Sequence, residues 1–430
     1  MNRTILILIV VVAFILRVFA IDVLPVGFTP DEASFGYDAY SILHTGKDQW
    51  GHTHPLVLES FGDFKPPLYA YLTIPSVALF GLNKFAVRLP NALLGTAAVY
   101  ITYLLVIELL GSRKKQIPTT NNQKLGLIAA FLLTISPWHV MISRGAFESN
   151  LSTFLLPLGI LLFLKGLQSK KYLLISSFVL GINLFSYHSA RLVTPLIFIF
   201  LLFIFRKDLK KLPLKTTLFS VAIFLIFTLL AGYTLFLGGA RRAQDISIFS
   251  GALQEASEHR ILAIYQGLDT GTARLLHNKY EVVAQRFVSN YLQYFSPTFL
   301  FIDGPAEGTY GMLPGRGVLY WIELPFIFGF LYALFTREKR SSLLLILFWI
   351  LIAPIPAALT TGKGYAANRA VVTLPALQIA LAYGAIEVYR LIKKYLPQKI
   401  WTLAPLAYLS LTSIFFLSFL EDYFLLSPFK

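Results

Sequence analysis

Long apolar runs alternate with short polar links along almost the whole chain. The runs fall at about 4–21, 87–110, 125–142, 151–168, 172–187, 192–205, 216–237, 318–335, 341–359, 370–390 and 400–419. Most are close to the roughly 20 apolar residues that cross about 30 Å of hydrocarbon as a helix. The pattern predicts an all-α polytopic membrane protein with about 11 transmembrane helices, in one membrane domain spanning residues 1–430. A twelfth apolar run, 67–81, begins with Pro66-Pro67 and contains Pro75. It is short for a span and is read as a helix lying in the interface. Two polar stretches remain on one side, a first outer loop at 22–86 and a large outer loop at 238–316. The large loop carries helix-like segments near 251–266 and 273–294, then Gly/Pro punctuation from Gly304 to Gly317.

Composition agrees with that pattern. Hydrophobic residues make up 56% of the chain, charged residues 14%, and the mean hydropathy is +0.66, where a soluble domain carries about a quarter charged residues. Cys is absent, which excludes disulfides and thiolate metal sites. Arg3 followed by an apolar run to Ile21 has the form of a signal peptide, and the further runs make it an uncleaved signal anchor.

The net charge of +15 acquires a meaning only from its distribution. With 67–81 kept out of the spans, one set of links collects 20 Lys and Arg against 4 Asp and Glu, including Arg113-Lys114-Lys115, Lys170-Lys171, Arg206-Lys207, Lys210-Lys211, Arg337, Arg340 and Lys393-Lys394. The opposite set holds 16 against 18. This bias sets the N-terminus inside and the C-terminus outside. The basic charge is a topology signal that also meets anionic lipid headgroups, and it excludes a nucleic-acid patch.

The outer links carry the candidate chemistry. Thr29-Pro30-Asp31-Glu32 reads as a helix start with a Thr-x-x-Glu capping box. The cap accounts for Glu32, but its second position needs no carboxylate. Asp31 shares a helix face with Ser34 and Asp38 and is a candidate general base for a hydroxyl proton. Lys65 in Lys65-Pro66-Pro67 is either an interfacial anchor or a cation facing a phosphate. Arg88, at the outer start of the second span, either snorkels to headgroups or forks a phosphate. Arg144 and Glu148 follow Ser136-Pro137-Trp138-His139; they are a helical i,i+4 ion pair or part of an outer site. His188 and Arg191 lie in the next outer link, and Arg369 opens the tenth span after Gly362-Lys363-Gly364. Acids are missing from the span centres, Glu323 being the nearest case close to an outer end. An ion-coupled transporter is expected to place them at the midplane. Cations gathered around one carboxylate instead suit a nucleophilic hydroxyl and a phosphate leaving group.

These residues resemble the GT-C superfamily of polytopic glycosyltransferases that use polyprenyl-phosphate sugars, within it the group of protein O-mannosyltransferases and lipid A aminoarabinose transferases. The resemblance rests on Pro30-Asp31-Glu32, Phe64-Lys65-Pro66-Pro67-Leu68-Tyr69, Phe80-Gly81 before Ala86-Val87-Arg88-Leu89-Pro90, and Ser136-Pro137 through Arg144-Gly145-Ala146-Phe147-Glu148. It covers residues 20–165 firmly. It implies a cavity on the outer face and inverting transfer of a sugar from a polyprenyl phosphate to a protein, lipid or glycan hydroxyl. By resemblance Asp31 is the acid acting as base, Glu32 its neighbour, Arg88 a donor-phosphate contact, Lys65 the Lys-Pro position and Glu148 the second acid. Some members hold a divalent metal, for which this sequence shows no His/Asp ligand cluster. Loop 238–316 is too small for the luminal ligand-binding domain of some O-mannosyltransferases. The readings kept beside this one are a non-catalytic lipid-linked sugar flippase or permease, and an O-antigen ligase or polymerase relying on late-loop Arg and His.

Overall fold

The computed structural model describes residues 2–111, 120–239, 247–305, 312–336, 340–361 and 366–426. Arg113, Lys114, Lys115, Arg337 and the Gly362-Lys363-Gly364 turn lie outside the described residues, as does part of the Gly304–Gly317 stretch.

A helix lies in each of the eleven segments read as spans. The first is α1 (Asn2–Val18). The first outer loop then holds α2 (Pro30–Thr45), strands β1 (Leu58–Ser60) and β2 (Asp63–Lys65), and α3 (Leu68–Phe80). The next helices are α4 (Lys84–Leu110), α5 (Thr120–Ile135), α6 (Pro137–Ile142), α7 (Leu151–Gly166), α8 (Lys170–Asn183), α9 (Ala190–Ile204), α10 (Arg206–Leu209) and α11 (Leu214–Thr234). The large loop contributes α12 (Ala252–Tyr265), α13 (Thr270–Leu276) and α14 (Lys279–Gln293). After it come α15 (Leu324–Thr336), α16 (Arg340–Ile352), α17 (Ile355–Ala358), α18 (Ala367–Ala370), α19 (Ala376–Tyr395) and α20 (Gln398–Leu420).

By length and hydropathy, five described helices are able to cross a membrane, or six if α18 and α19, bent by 56°, count as one broken span. Four more apolar helices are shorter, and α3 is among them at 13 residues. The structure shows a multi-pass helical membrane protein with five or six helices of spanning length among the described residues, not eleven. Helix α4, at 27 residues, is about 40 Å long and reaches past the hydrocarbon.

The all-α expectation needs one correction. Strands β1 and β2 form an antiparallel hairpin in the first loop, with Leu58 opposite Lys65 and Ser60 opposite Asp63. Its two-residue turn, Phe61-Gly62, has φ of 51° and 76°. Positive φ at both central residues matches the twist of the strands, and Gly supplies it without strain. The hairpin fixes Lys65 at the end of β2, immediately before α3.

Packing is tightest where side chains are absent. Helices α15 and α19 cross so closely that a Cβ on Gly384 would collide with the Phe326 carbonyl, and one on Gly329 with the Gly384 carbonyl. Both obstacles are backbone, which cannot swing aside. Around this crossing lies the large apolar core, with Trp138, Trp349, Phe163 and Phe299 among its buried members. Gly384→Val is expected to abolish the monodisperse peak in size-exclusion chromatography of detergent extracts, while Gly232→Ala, facing open space on α11, leaves it intact.

Candidate active site in the first outer loop

Helix α2 begins as the sequence requires. Thr29 caps it, the Glu32 N–H donating to Thr29 Oγ1 at 3.2 Å and the Thr29 N–H to Glu32 Oε2 at 2.9 Å. Pro30 occupies the first turn and Gly46, at φ 69°, ends the helix. Glu32 does far more than cap. It is buried and accepts from Arg88 Nε at 2.7 Å, from Arg88 Nη2 at 3.0 Å and from the Ala146 N–H at 3.0 Å. Arg88 spends its remaining hydrogens on the carbonyls of Ile21, Pro25 and Gly27, at 2.8–3.0 Å. All five of its N–H donors are used inside the protein, so the expected phosphate fork at Arg88 has no donor to offer.

Arg144 is likewise structural. It donates to the Leu16, Phe19 and Leu24 carbonyls and lies over the Phe424 ring at 4.6 Å. The expected i,i+4 pair with Glu148 does not form, because the chain leaves the helix at Ser143 and resumes as one tight turn at Glu148–Asn150. Behind that turn runs a buried chain of hydrogen bonds. Arg17 donates to His139 at 2.7 Å, His139 meets Thr153 at 3.2 Å, Thr153 meets Asn150, and Asn150 donates to Asn91 at 2.9 Å. Asn91 in turn donates to the Ile142 and Gly145 carbonyls, so five side chains hold the turn that carries Glu148.

Asp31, beside Glu32 but on the open side of the helix, keeps 28% of its side chain exposed. The buried Lys65 ammonium donates to its Oδ1 and also lies 3.4 Å from Ser60 Oγ and 5.3 Å from the Phe35 ring centre. Asp31 and Lys65 are the charges that act on the buried Glu148. The face neighbours Ser34 and Asp38 are hydrogen-bonded to each other and to Gln49. Burial pushes the Asp38 carboxyl up to about 6, the Asp48 carboxylate adding to the shift against hydrogen bonds from Gln49 and Ser34.

His188, in the link between α8 and α9, donates from Nε2 to the Phe64 carbonyl at 3.1 Å. Burial holds it down at about 4, and the positive charges of Arg191, Arg369 and Lys65 act in the same direction. Arg191 donates from Nε to Leu184 O, and its Nη1 is buried without a partner. Arg369 donates to Thr360 Oγ1 at 2.5 Å. Asp31, Lys65, Glu148, His188, Arg191 and Arg369 thus form one neighbourhood, while Glu32, Arg88 and Arg144 build its frame. Three further groups escaped sequence reasoning. Ser149 Oγ, Ser189 Oγ and Asn368 Oδ1 are buried without hydrogen-bond partners, each next in sequence to a site residue. Ser and Asn carry no sequence signal of this kind; only burial exposes them. Buried polar atoms are nearly always satisfied in folded proteins, so such orphans await a polar ligand.

The site residues do not suit a resident metal. Asp31 is held by an ammonium, and His188 spends Nε2 on a carbonyl. Among the described residues, the one three-ligand cluster at metal spacing lies in the large loop.

Next to Arg369 an apolar cavity of about 360 Å³ opens, lined by Trp138, Phe299, Phe330, Leu347, Ala370 and Thr373 among others. That volume is within the range of small-molecule sites.

The chain has the fold of the GT-C polytopic glycosyltransferases. It aligns over 88% of its length with ArnT from Cupriavidus metallidurans bound to undecaprenyl phosphate, at a TM-score of 0.54 and 14% identity. Over 96% of its length it aligns with the archaeal oligosaccharyltransferase AglB from Archaeoglobus fulgidus, in complex with an inhibitory peptide and a dolichol-phosphate, at a TM-score of 0.54 and 15% identity. Residues 64–232 match the dolichyl-phosphate-mannose-protein mannosyltransferase family model. In sequence the chain is 29% identical over 121 residues to "Putative mannosyltransferase YkcB" of Bacillus subtilis (strain 168). It spans 59% and 55% of the two solved chains, and the YkcB match covers 15% of that protein.

Two outcomes test the frame. Arg88→Met leaves Glu32 buried and unpaired and is expected to cost about 3–5 kcal/mol, read as a fall in melting temperature in detergent. His188 titrates near 4 when folded and near 6.5 when unfolded. The unfolded chain takes up that proton first, so stability is lost as pH falls from about 6.5 to 4, by on the order of 3 kcal/mol. His188→Gln is expected to flatten that part of the melting-temperature profile.

Proposed function

We propose that this protein is a glycosyltransferase that moves a sugar from a polyprenyl-phosphate donor to an acceptor hydroxyl, with inversion. The observation that carries this reading is the accessible Asp31 carboxylate beside buried Lys65, with Glu148, His188, Arg191 and Arg369 in the same neighbourhood. The ArnT and AglB structures were solved with polyprenyl phosphates, and their fold likeness supports a donor of that class.

Residues 1–430 form one GT-C-like domain of about eleven spans in the plasma (inner) membrane. The N-terminus is cytoplasmic, and the first and large loops lie on the outer face. The prenyl tail enters the apolar cavity beside Arg369, and its phosphate meets Arg369 and the unpartnered Nη1 of Arg191. Lys65 holds the Asp31 carboxylate by Oδ1. Asp31 takes the proton of the acceptor hydroxyl as its oxygen attacks the anomeric carbon from the face opposite the phosphate. The bond from that carbon to the phosphate oxygen breaks, and the electron pair leaves with the lipid phosphate. The arginine cations stabilise the charge that develops there. Glu148 and the orphaned Ser149, Ser189 and Asn368 face the sugar hydroxyls. The acceptor is a protein, lipid or envelope glycan, admitted under the large loop.

Asp31→Asn is expected to lower transfer from a labelled polyprenyl-phosphate sugar by about 10²–10⁴-fold, with unchanged protein yield in membranes. Full transfer by that variant would remove Asp31 as the base. Arg369→Ala is expected to raise the donor KM more than it lowers kcat. Transfer that accumulates with time in detergent, without two compartments, separates an enzyme from a flippase or permease.

A further inference from the structure

The large outer loop has little to hold it together. Its own core is small, formed by Ala252, Ala256 and Val282 with Val283 packed against them. Two helices, α12 and α14, meet there with few large side chains between them. A core of that size contributes little stability, and small units of this kind are commonly fastened by a metal or a cross-link. With no Cys in the chain, a disulfide is excluded.

At the meeting point of the three helices stand His259 of α12, His277 at the end of α13 and Glu281 of α14. Each offers one ligand atom, and these atoms all lie within 4.8 Å of one another. Two polar atoms of this group, His277 Nδ1 and Glu281 Oε2, are buried without any hydrogen-bond partner. Orphans on an imidazole and a carboxylate in contact distance of a second imidazole need a shared partner. A proton bridges two groups; a cation satisfies three.

Supports around the group hold its members in place. Gln285 donates its amide to Glu281 Oε1, leaving Oε2 to point elsewhere. Asn278 caps α14 by accepting from the Tyr280 and Glu281 N–H groups at 2.9 and 3.1 Å. Arg260 donates from Nε and Nη2 to the His277 carbonyl, which fixes the backbone under the ring. Its positive charge opposes a cation, and the Glu281 carboxylate in the ligand set offsets that charge. Arg286 ties α14 to α12 through Glu255 and to the Ile248 and Ser250 carbonyls. Ligands oriented by such neighbours bind metals more tightly.

We propose that His259, His277 and Glu281 bind one divalent cation of the zinc type, and that this ion fastens α12, α13 and α14 into a single unit. Two imidazole nitrogens and a carboxylate oxygen are a borderline donor set that suits Zn²⁺ over Mg²⁺ or Ca²⁺. Tetrahedral ligands at about 2.0–2.1 Å from zinc stand roughly 3.3 Å apart, so binding draws the three ligand atoms, now within 4.8 Å of one another, closer together. The fourth position faces solvent, since all three residues are partly exposed. The site is separate from the acids of the first loop and does not depend on the proposed transfer reaction.

The test uses tag-free full-length protein in detergent, stripped with a chelator and titrated with zinc chloride against a chromophoric competitor. One zinc per chain is expected, and Co²⁺ should give the visible absorption of a tetrahedral site. His259→Gln, His277→Gln and Glu281→Gln should each weaken zinc binding at least tenfold, whereas Asp31→Asn and Glu148→Gln should leave it unchanged. Zinc should also slow proteolysis within residues 247–305 of the wild-type protein, a readout that needs no variant to fold. Absence of stoichiometric zinc, or binding that survives the three loop variants, overturns the site. Binding lost in Asp31→Asn or Glu148→Gln places the ion in the candidate active site and overturns it as well. Zinc that binds without slowing proteolysis overturns the fastening role.

Discussion

Glu32 and Arg88 are both buried, and between them their side chains close seven hydrogen bonds. One carboxylate receives the start of α2, the guanidinium of α4 and the backbone of the Ala146 turn. One guanidinium receives three carbonyls of the chain that enters the first loop. Taking either charge out of water costs several kcal/mol, and only complete satisfaction offsets that cost. The pair therefore has a single geometry, and three segments distant in sequence must adopt it together. Asp31 is one residue from Glu32, and Glu148 is two residues from Ala146. Their separation is consequently fixed by a joint that neither of them touches.

Arg144 and the Arg17–His139–Thr153–Asn150–Asn91 relay extend the same logic inward. Buried polar groups are costly unless paired, and here they are used to hold irregular backbone. The turn from Ser143 to Asn150 is held because side chains satisfy several of its carbonyls and amides. What the turn gains is a carboxylate, Glu148, pointing toward Asp31 and Lys65 rather than pairing along a helix with Arg144. Cations divide accordingly. Arg88 is consumed by the frame and Arg144 is turned onto three of its carbonyls, while Arg191 on a later helix keeps a buried Nη1 without a partner and Arg369 adjoins Ala370 of the apolar cavity. A lipid phosphate has this same two-part character, an anion joined to a hydrocarbon tail.

The cross-strand hairpin and the meeting of His259, His277 and Glu281 illustrate a different limit. Six residues from Leu58 to Lys65 pair only because Phe61-Gly62 turns tightly, and that signal is faint beside apolar runs three times as long. The two histidines and the glutamate lie at spacings of eighteen and four residues, with no recognisable ligand motif between them. Only the packing of α12 against α14 brings them together.

Several things were legible from residues alone. The lengths of the apolar runs place a helix in each span segment, because the cost of bare backbone in hydrocarbon leaves no other solution. The Thr29-x-x-Glu32 capping box is local chemistry, and it forms as read. Residues 67–81 do form a helix, the 13-residue α3, but its length does not set it apart from the other short apolar helices. The membership of the Asp31, Lys65, Glu148, His188, Arg191 and Arg369 neighbourhood was visible as a list of charged residues in the polar links between apolar runs. Their roles were not. Whether an arginine has spare hydrogen-bond donors depends on which carbonyls surround it, and those of Arg88 come from residues more than sixty positions away. Sequence periodicity and capping act over one or two turns, so they determine elements. Satisfaction of a buried charge is a property of every segment that reaches it, so the tertiary structure alone decided which ions build the protein and which remain for chemistry.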